Sequence, residues 1–539
     1  MTTQNGSWFG PDSTRPDIVP ALSDIVLDPF GSRLLANGRD HADRIALIHG
    51  KRRVTWRDFA ARIERVAARL QAAGLAPGDR LAVVSETSVE YLEVYCGGLL
   101  AGLTIVPLPL MASDDAISLM LTDSGSGVAF LSPSARARLG HRFADPALAA
   151  TRRVCFGEGA DWPGYEDWLS EADEPFSPVT VTPDLGFNII YSSGTTGSPK
   201  GILQDHRMRS QHIERLKAFD MSEETVMMVS TPLYSNTTLV TLLPTLASGG
   251  ALVLMEKFAV EPFLALGEAE RATHAMLVPV QYERILADPA FDKADLSSFK
   301  AKFCTSAMLH AHVIADIVAR WPGELYLLYG LTEGGASTLL DARANPTKYD
   351  SVGKPTNGVE LRIIGEDGRD VATGEIGEIY GRAPAMMRGY VNRDDLTGEM
   401  LWHDEEGRAF FRTGDLGRFD EDGFLYLMGR RKDMIISGGF NIYPADIEEI
   451  LLTHGDVLDA AVIGVPSERW GETPLALVVP RPGVTVDTDS LRDWINARVG
   501  KLQRVAAVEL RDEVPRSSIG KILKRDLMAP YWQAAKAGG

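Results

Sequence analysis

Apolar positions along the chain follow two patterns in turn, helical spacing and short unbroken runs, which together predict helices alternating with buried strands. Apolar side chains recur near helical spacing through residues 57–73, and a Pro-Gly-Asp turn follows. The unbroken run at 81–84 then predicts a short buried strand, and helix, glycine-rich turn and strand return in that order over 239–254. This alternation is typical of an α/β fold.

Residues 358–426 show a different pattern, in which short strand-like runs are separated by glycine turns. That pattern predicts an antiparallel β subdomain. Beyond it, the pattern predicts helices at 445–453 and 488–499 and strands at 460–465 and 475–479. We therefore expect a large N-terminal domain over 1–430 and a small C-terminal domain over 433–539.

Charge and cysteine content narrow the function classes. The chain has 55 basic and 73 acidic residues, a formal net charge of −18 at pH 7, which argues against nucleic acid as a partner. Its three cysteines (Cys96, Cys155 and Cys304) are widely spaced and form no CxxC pair, so we expect no disulfide framework or cysteine zinc site. A reducing, cytoplasmic compartment is the matching expectation, and the polar residues 1–17 predict no secretory signal.

Two uncharged stretches, 94–113 and 225–255, are long enough to suggest membrane spans. Both are interrupted by glycines and prolines, which is typical of a buried helix leading through a turn into a buried strand. The sequence therefore predicts no integral membrane span.

The most informative segment is the glycine-rich loop 191–201, which follows a short apolar run at 187–190. Its glycines let the backbone approach a ligand closely, while hydroxyls and one lysine supply donors, the parts of a phosphate cradle. It is not a Walker A loop, because Pro199 precedes the lysine and Gly201 follows it. A flexible Ser/Gly loop is the alternative, which the preceding core strand disfavours. The residues assigned to phosphate binding are Ser192, Ser193, Gly194, Thr195, Thr196, Gly197 and Lys200.

This loop resembles the signature of adenylate-forming enzymes, the superfamily of acyl-CoA synthetases, firefly luciferases and peptide synthetase adenylation domains. Further motifs of that family follow in its order, at 329–333, 374–381, 388–390, 412–415, 429–433 and 520–521. The resemblance covers nearly the whole chain and is closest to AMP-forming acyl-CoA synthetases. It implies a large domain of two α/β subdomains and a β subdomain, followed by a small mobile α+β domain.

The resemblance also implies an acid–thiol ligase. A carboxylate of a small-molecule acid attacks the α-phosphate of ATP, pyrophosphate leaves, and the acyl-adenylate then reacts with the thiol of coenzyme A. Two alternatives stay open: use of the acyl-adenylate by a carrier-protein thiol or in an oxygenase-like step, and a nucleotide-binding regulatory protein without catalysis. Retention of Lys200, Thr332, Glu333, Asp415 and Lys521 speaks against the second alternative.

Roles around the nucleotide carry over from the resemblance. By this resemblance, Glu333 helps to hold Mg²⁺ and Thr332 contacts the α-phosphate. Lys521 bridges the substrate carboxylate and the α-phosphate. Read alone, residues 331–333 could instead be a helix cap. The remaining nucleotide contacts are Tyr329 and Gly330, Asp415 and Arg430 at the ribose, and Ser306, Ala307 and Met308 at the adenine. Seven basic and three acidic residues between 501 and 525 fit an anionic ligand near Lys521.

Later steps carry over in the same way. Lys432 occupies the hinge between the two domains. The residues expected to contact coenzyme A are Ser437, Gly438 and Gly439. The residues expected to bind the acyl group are Tyr234, Ser235, Thr237, Thr238, Thr305 and Gly330.

The acyl segment also narrows the substrate. No acidic residue lies between 225 and 255 to pair an ammonium group, which disfavours an amino acid substrate. No arginine lies there either, a weaker argument against a dicarboxylate. A monocarboxylic acid with an uncharged tail fits best, whether the tail is fatty, aromatic, terpenoid or steroid. The histidines are expected to be packing or surface residues, with His206 and His212 flanking the helix after the loop and His310 and His312 on another helix.

Overall fold

The computed structural model describes residues 29–158, 161–171, 175–193, 199–217, 219–384, 386–437, 440–517 and 520–537. The described chain divides into two compact units. The first runs to Tyr349 and includes Pro355–Glu360 and Gly381–Phe411. The second comprises Asp350–Lys354, Leu361–Tyr380 and the residues from Arg412 onward.

The helices, numbered along the chain, have the following bounds: α1 Phe30–Asp40, α2 Trp56–Ala72, α3 Val89–Leu100, α4 Asp114–Ser124, α5 Pro133–Leu139, α6 Tyr165–Ser170, α7 His206–Lys217, α8 Asn236–Ala247, α9 Val260–Ala269, α10 Pro279–Ala287, α11 Ala311–Arg320, α12 Asp394–Glu399, α13 Pro444–Leu452, α14 Thr488–Asn496 and α15 Lys524–Ala537.

The strands have these bounds: β1 Ile45–His49, β2 Arg52–Thr55, β3 Arg80–Val84, β4 Thr104–Pro107, β5 Val128–Leu131, β6 Arg152–Cys155, β7 Gly186–Ser193, β8 Pro199–Asp205, β9 Val226–Val229, β10 Ala251–Leu254, β11 His274–Leu277, β12 Ala301–Cys304, β13 Glu324–Gly330, β14 Ser337–Asp341, β15 Lys354–Pro355, β16 Glu360–Ile364, β17 Gly377–Arg382, β18 Gly389–Tyr390, β19 Leu401–His403, β20 Ala409–Phe419, β21 Leu425–Arg430, β22 Ile435–Ser437, β23 Phe440–Ile442, β24 Val457–Ser467, β25 Gly471–Pro480 and β26 Ala507–Leu510.

The first unit is built on two largely parallel sheets. One has the strand order β14-β13-β12-β11-β9-β10-β1-β2, and the other the order β18-β8-β7-β4-β3-β5-β6. Inner strands such as β4, β5 and β10 are buried along their whole length, as parallel strands covered on both faces must be. Side chains of α2, α3 and α8 join those of both sheets in one apolar core that includes Trp56, Phe59 and Leu242. The α/β class predicted from the alternation is confirmed.

The second unit has two further sheets. Strands β16, β17, β20 and β21 are neighbours in one of them. The other has the order β23-β22-β25-β24, with β26 beside β25. Helices α13 and α14 cover this second sheet through Ile447, Leu451 and Leu491, which pack with Val462 and Val478.

Element positions follow the predictions closely in both units. Helix α2 matches the predicted 57–73 to within one residue at each end, and β3 covers 81–84. The uncharged stretches contain α3 with β4 and α8 with β10, and in the part of the chain described here no helix is long and apolar enough to cross a membrane. A strand, β8, follows the glycine-rich loop directly, and the helix expected after the loop, α7, begins at His206.

Candidate active site

The glycine-rich loop is the tip of an antiparallel hairpin formed by β7 and β8. Ser192 pairs with Lys200 and Ser193 with Pro199, so Ser192 and Lys200 lie opposite each other on the two strands that lead into the tip. The predicted contacts Gly194, Thr195, Thr196 and Gly197 lie outside the described residues. The hairpin is anchored behind the tip, where the Tyr191 hydroxyl donates to Asp123 Oδ2 at 2.8 Å.

The third family motif continues the same sheet on the other edge of β8. Tyr390 pairs with Ile202 and Gly389 with Leu203, and the Val391 amide donates to the Gly201 carbonyl at 2.8 Å. The space at Gly201 is tight, because a Cβ at this position would lie 3.0 Å from Ile189 and 3.1 Å from the Tyr191 ring. Strand β8 is thus held on both edges, which fixes the direction of its side chains.

Tyr390 connects the first two family motifs. The Lys200 ammonium lies 5.5 Å from the centroid of the Tyr390 ring, a cation–π distance. The Tyr390 hydroxyl donates to Glu333 Oε1 at 2.9 Å. Burial, followed by the neighbouring Glu333 carboxylate, raises the pKa of Tyr390 far above its usual value, so the phenol stays a hydrogen-bond donor. A cation over the ring and a carboxylate at the hydroxyl, from two distant motifs, therefore contact the same tyrosine side chain.

The segment that carries Thr332 and Glu333 joins β13 to β14 without a helical turn, which excludes the helix-cap reading of 331–333. The backbone carbonyls of Thr332 and Glu333 both accept hydrogen bonds from other parts of the first unit. The Met387 amide donates to the Glu333 carbonyl at 2.7 Å, and the Gln204 side chain donates to the Thr332 carbonyl at 2.6 Å. Gly335 follows with φ of +82°, and a Cβ there would lie 2.9 Å from that of Phe411.

The predicted acyl and adenine residues meet in the first unit. Thr237 Oγ1 lies 2.7 Å from Ser306 Oγ, and Ser306 holds a left-handed backbone with φ of +81°. Ser235 caps α8 by accepting from the Thr237 amide, and Thr305 donates to the Leu328 carbonyl at 2.7 Å.

The remaining predicted contacts of this region lie around that meeting point. Thr238 is hydrogen-bonded to Thr231 at 2.7 Å. Burial, followed by the neighbouring Tyr95 and Tyr234, raises the pKa of Tyr91. Tyr329 is half-buried, and Gly330 is exposed at the end of β13. Ala307 is half-buried and Met308 is exposed.

In the second unit, the predicted ribose contacts are neighbours. Asp415 on β20 pairs with Arg430 on β21, and the Arg430 Nε lies 3.2 Å from Asp415 Oδ1. The Asp415 side chain is largely buried, and its own amide donates to Thr413 Oγ1 at 3.0 Å. Lys432 follows in the connecting turn, where burial lowers its pKa.

The lysine loop of the second unit is a short hairpin closed by an isolated bridge between Arg516 and Ile522. The Ser517 amide donates to the Lys521 carbonyl at 2.8 Å, and Arg516 binds both oxygens of Asp459 at 2.8 and 2.9 Å. The Lys521 side chain is exposed.

Ser437 ends β22 and pairs with Phe440 on β23. The Gly438 and Gly439 predictions between them lie outside the described residues.

The positions of two histidines differ from the prediction. His206 and His212 lie within α7 rather than beside it, and burial lowers the pKa of both, that of His206 to about 4. His310 lies at the N-cap of α11, and its ring stacks on that of His312 at 5.9 Å. Among the described residues, no group of three or more His, Cys, Asp and Glu side chains could hold a metal ion.

Sequence reasoning missed three buried polar residues behind the hairpin: Asn188, Gln204 and Arg209. They connect to one another by hydrogen bonds of 2.9 Å and reach the Thr332 carbonyl. The signal was present, since Asn188 interrupts the apolar run 187–190 and Gln204 lies at a buried position of β8. An arginine from outside the acyl segment also reaches it, because Arg209 on α7 donates to Asn236 at 2.9 Å.

This fold and this arrangement of residues define an adenylate-forming ligase. The AMP-binding enzyme family matches residues 34–391, and the AMP-binding enzyme C-terminal domain matches residues 446–521. The chain belongs to the AMP-binding enzyme family, with the large N-terminal and small C-terminal domains expected of it, and is an acid–thiol ligase that forms AMP.

Its relatives cover nearly all of the chain. A feruloyl-CoA synthase of an Amycolatopsis species is 34% identical over 504 residues, covering 92% of this chain and 98% of that protein. An indoleacetate–CoA ligase of Aromatoleum aromaticum is 32% identical, with 90% and 94% covered. The crystal structure of ATP-bound MatB from Rhodopseudomonas palustris superimposes with a TM-score of 0.85 at 29% identity, with 93% and 98% covered.

Proposed function

We propose that the protein activates a monocarboxylic acid with an uncharged tail, using ATP, and transfers the acyl group to coenzyme A with release of AMP and pyrophosphate. The observation that carries this proposal is the arrangement around Tyr390, whose ring lies 5.5 Å from the Lys200 ammonium and whose hydroxyl donates to Glu333 at 2.9 Å. A fixed cation and a fixed carboxylate beside a glycine-rich hairpin tip suit a triphosphate and its metal ion.

In this proposal the first unit supplies the phosphate contacts. Lys200 offers its ammonium group to the phosphates, and Ser192 on the opposite strand offers a hydroxyl. Ser193 is proposed as a further phosphate contact. Thr332 contacts the α-phosphate. The partly exposed carboxylate of Glu333 would hold a Mg²⁺ ion, a cation that prefers oxygen ligands such as carboxylates, phosphates and water. The ion neutralises phosphate charge when it is bound.

The second unit supplies the ribose contacts and the mobile lysine. A carboxylate such as Asp415 has acceptors for both ribose hydroxyls, and Arg430 beside it at 3.2 Å fixes its orientation. Lys521, exposed on its short hairpin, bridges the substrate carboxylate and the α-phosphate during adenylation. Lys432 is the hinge for the second half-reaction, in which Ser437, Gly438 and Gly439 receive coenzyme A.

The acyl segment favours an uncharged tail. Residues 231–239 contribute hydroxyl and apolar side chains, and the Thr231–Thr238 and Thr237–Ser306 hydroxyl pairs satisfy one another. A substrate ammonium group would find no carboxylate in this segment. The names of two relatives specify aromatic acids, so arylpropenoic and indole acids come first in the substrate panel, followed by fatty, terpenoid and steroid side-chain acids.

The experiment measures AMP and pyrophosphate formed by the purified protein with each acid of the panel, with coenzyme A and with a purified carrier protein. We expect AMP formation that depends on both the acid and coenzyme A. AMP formation with the carrier alone would assign the acyl group to a carrier-protein thiol instead. Silence across the panel would favour a nucleotide-binding protein without catalysis.

A further inference from the structure

A chain of buried side chains connects the start of α8 to the Thr332 carbonyl, all within the first unit. Arg209 donates through Nη2 to Asn236 Oδ1 and through Nε to Asn188 Oδ1, both at 2.9 Å. Asn188 donates to Gln204 Oε1 at 2.9 Å, and Gln204 donates to the Thr332 carbonyl at 2.6 Å. We call the three side chains Arg209, Asn188 and Gln204 the amide relay.

The relay has a fixed direction. Arginine can only donate and a backbone carbonyl can only accept, so the two ends determine the orientation of both amides between them. Turning either amide over would break the hydrogen bonds on both of its sides. The amide dipoles of Asn188 and Gln204 therefore align head to tail, with their positive ends towards the Thr332 carbonyl, and aligned hydrogen bonds strengthen one another.

The relay is buried and lacks a counter-charge. The side chains of Arg209, Asn188 and Gln204 are completely buried. No carboxylate within the described part of the chain forms a salt bridge with Arg209, and its Nη1 has no hydrogen-bond partner there. Burying a guanidinium group without a carboxylate is costly, and a well-packed apolar side chain would be more stable. A stabilising role alone does not account for an arginine at this position.

We propose that the amide relay is a positioning device for adenylation, which holds the peptide of Thr332 so that the Thr332 and Glu333 side chains face the nucleotide. The proposal rests on the proposed function, because it assigns those two residues to the ATP site. The far end of the relay holds Asn236, which lies between the predicted acyl residues Ser235 and Thr237. The relay thereby connects the acyl segment to the nucleotide-binding segment.

Gln204→Leu tests the last hydrogen bond of the relay. It removes the donor to the Thr332 carbonyl, and we expect the rate of adenylate formation to fall about tenfold to a hundredfold, as when a group that orients a ligand is lost. Gln71→Leu is the matched control. The Gln71 amide also donates to a backbone carbonyl, that of Ser177 at 2.7 Å, and accepts from the Ser177 amide at 3.0 Å. A loss of equal size in both variants, or no loss in Gln204→Leu, overturns the proposal.

Gln204→Glu separates positioning from packing. The introduced carboxyl group can donate to the Thr332 carbonyl only while it is protonated, and it has the same shape as the amide. We expect the adenylation rate, divided by that of the wild type at each pH, to be near one at low pH and to fall as pH rises. Arg209 and Glu333 are the charged residues nearest along the hydrogen-bond path, and both are present in the wild type. A ratio that is flat with pH contradicts the relay.

A measurement without turnover keeps the relay testable apart from the proposed function. In the free protein, we expect amide hydrogen exchange of residues 331–336 to be about tenfold faster in Gln204→Leu than in the wild type or Gln71→Leu. Unchanged exchange in this segment refutes the relay even if the enzyme is active. A wild type that forms no AMP with any acid, together with faster exchange in Gln204→Leu, refutes the proposed function and leaves the relay standing.

Discussion

Tyr390→Phe isolates the hydrogen bond on which the arrangement of Lys200 and Glu333 depends. The substitution removes the phenol that donates to Glu333 Oε1 at 2.9 Å and keeps the aromatic ring 5.5 Å from the Lys200 ammonium. The cation–π contact therefore survives, and only the orientation of the carboxylate is lost.

The size of the effect follows from the exposure of Glu333. A hydrogen bond to a charged group contributes about 1.5–3 kcal/mol. Because the Glu333 side chain is partly exposed, water replaces part of the lost bond, so we expect the lower end, about 1.5 kcal/mol. That corresponds to a roughly tenfold slower adenylation. Tyr390→Leu removes the ring as well and should cost a further two- to fivefold, from about 0.5–1 kcal/mol of cation–π attraction.

The assay is acid-dependent exchange of pyrophosphate into ATP, measured while Mg²⁺ is varied. We expect Tyr390→Phe to need more Mg²⁺ for half-maximal exchange, because the carboxylate that would hold the ion is no longer oriented. The pKa of Tyr390 is raised far above neutrality, so the loss should be the same from pH 6 to pH 9. Tyr282→Phe is the control, since its buried hydroxyl donates to the Phe303 carbonyl at 2.9 Å. Exchange by Tyr390→Phe within twofold of the wild type would refute the reasoning.

Three further predictions concern other residues. Lys521→Ala should suppress adenylate formation far more than thioester formation from a supplied acyl-adenylate, and equal losses in the two half-reactions would contradict its role. Asp415→Asn should weaken the use of ATP at least about tenfold and remove the preference for ATP over 2′-deoxy-ATP; a preserved preference would remove Asp415 from the ribose site. Burial lowers the pKa of His206 to about 4, so the unfolded chain takes up its proton first, and stability should fall by up to about 3 kcal/mol as pH falls from about 6.5 to 4. His206→Phe, which keeps an aromatic ring against Phe187, should flatten this part of a urea-denaturation profile, and parallel profiles would contradict it.

The regular elements could be predicted because local patterns determine them. Helix α13 is preceded by a residue outside helical geometry and has a proline at its start, and its apolar side chains face one core. Strand β8 could not be predicted in this way. Its sequence, PKGILQD, contains proline, glycine and three polar side chains, yet it is a strand because β7 and β18 pair with its two edges. Tertiary pairing overrides local preference at this position.

In the candidate site, too, some features could be predicted from the sequence and others could not. Motif order identified the residue types, including Lys200 and Glu333, but not what holds them. Tyr390 and Glu333 are 57 positions apart, and Gln204 and Thr332 are 128 apart. Sequence spacing carries no information about such contacts, which depend on how the strands are paired. The roles of Lys521 and Asp415 stay predictions, as does the cytoplasmic location.

Strand β8 also constrains how this enzyme can be re-engineered. Lys200 and Gln204 lie four residues apart on one extended strand, so their side chains leave the same face, roughly 13 Å apart. Inserting or deleting one residue between them would send the ammonium and the amide to opposite faces. A loop graft or chimaera must therefore transplant the interval from Lys200 to Gln204 intact.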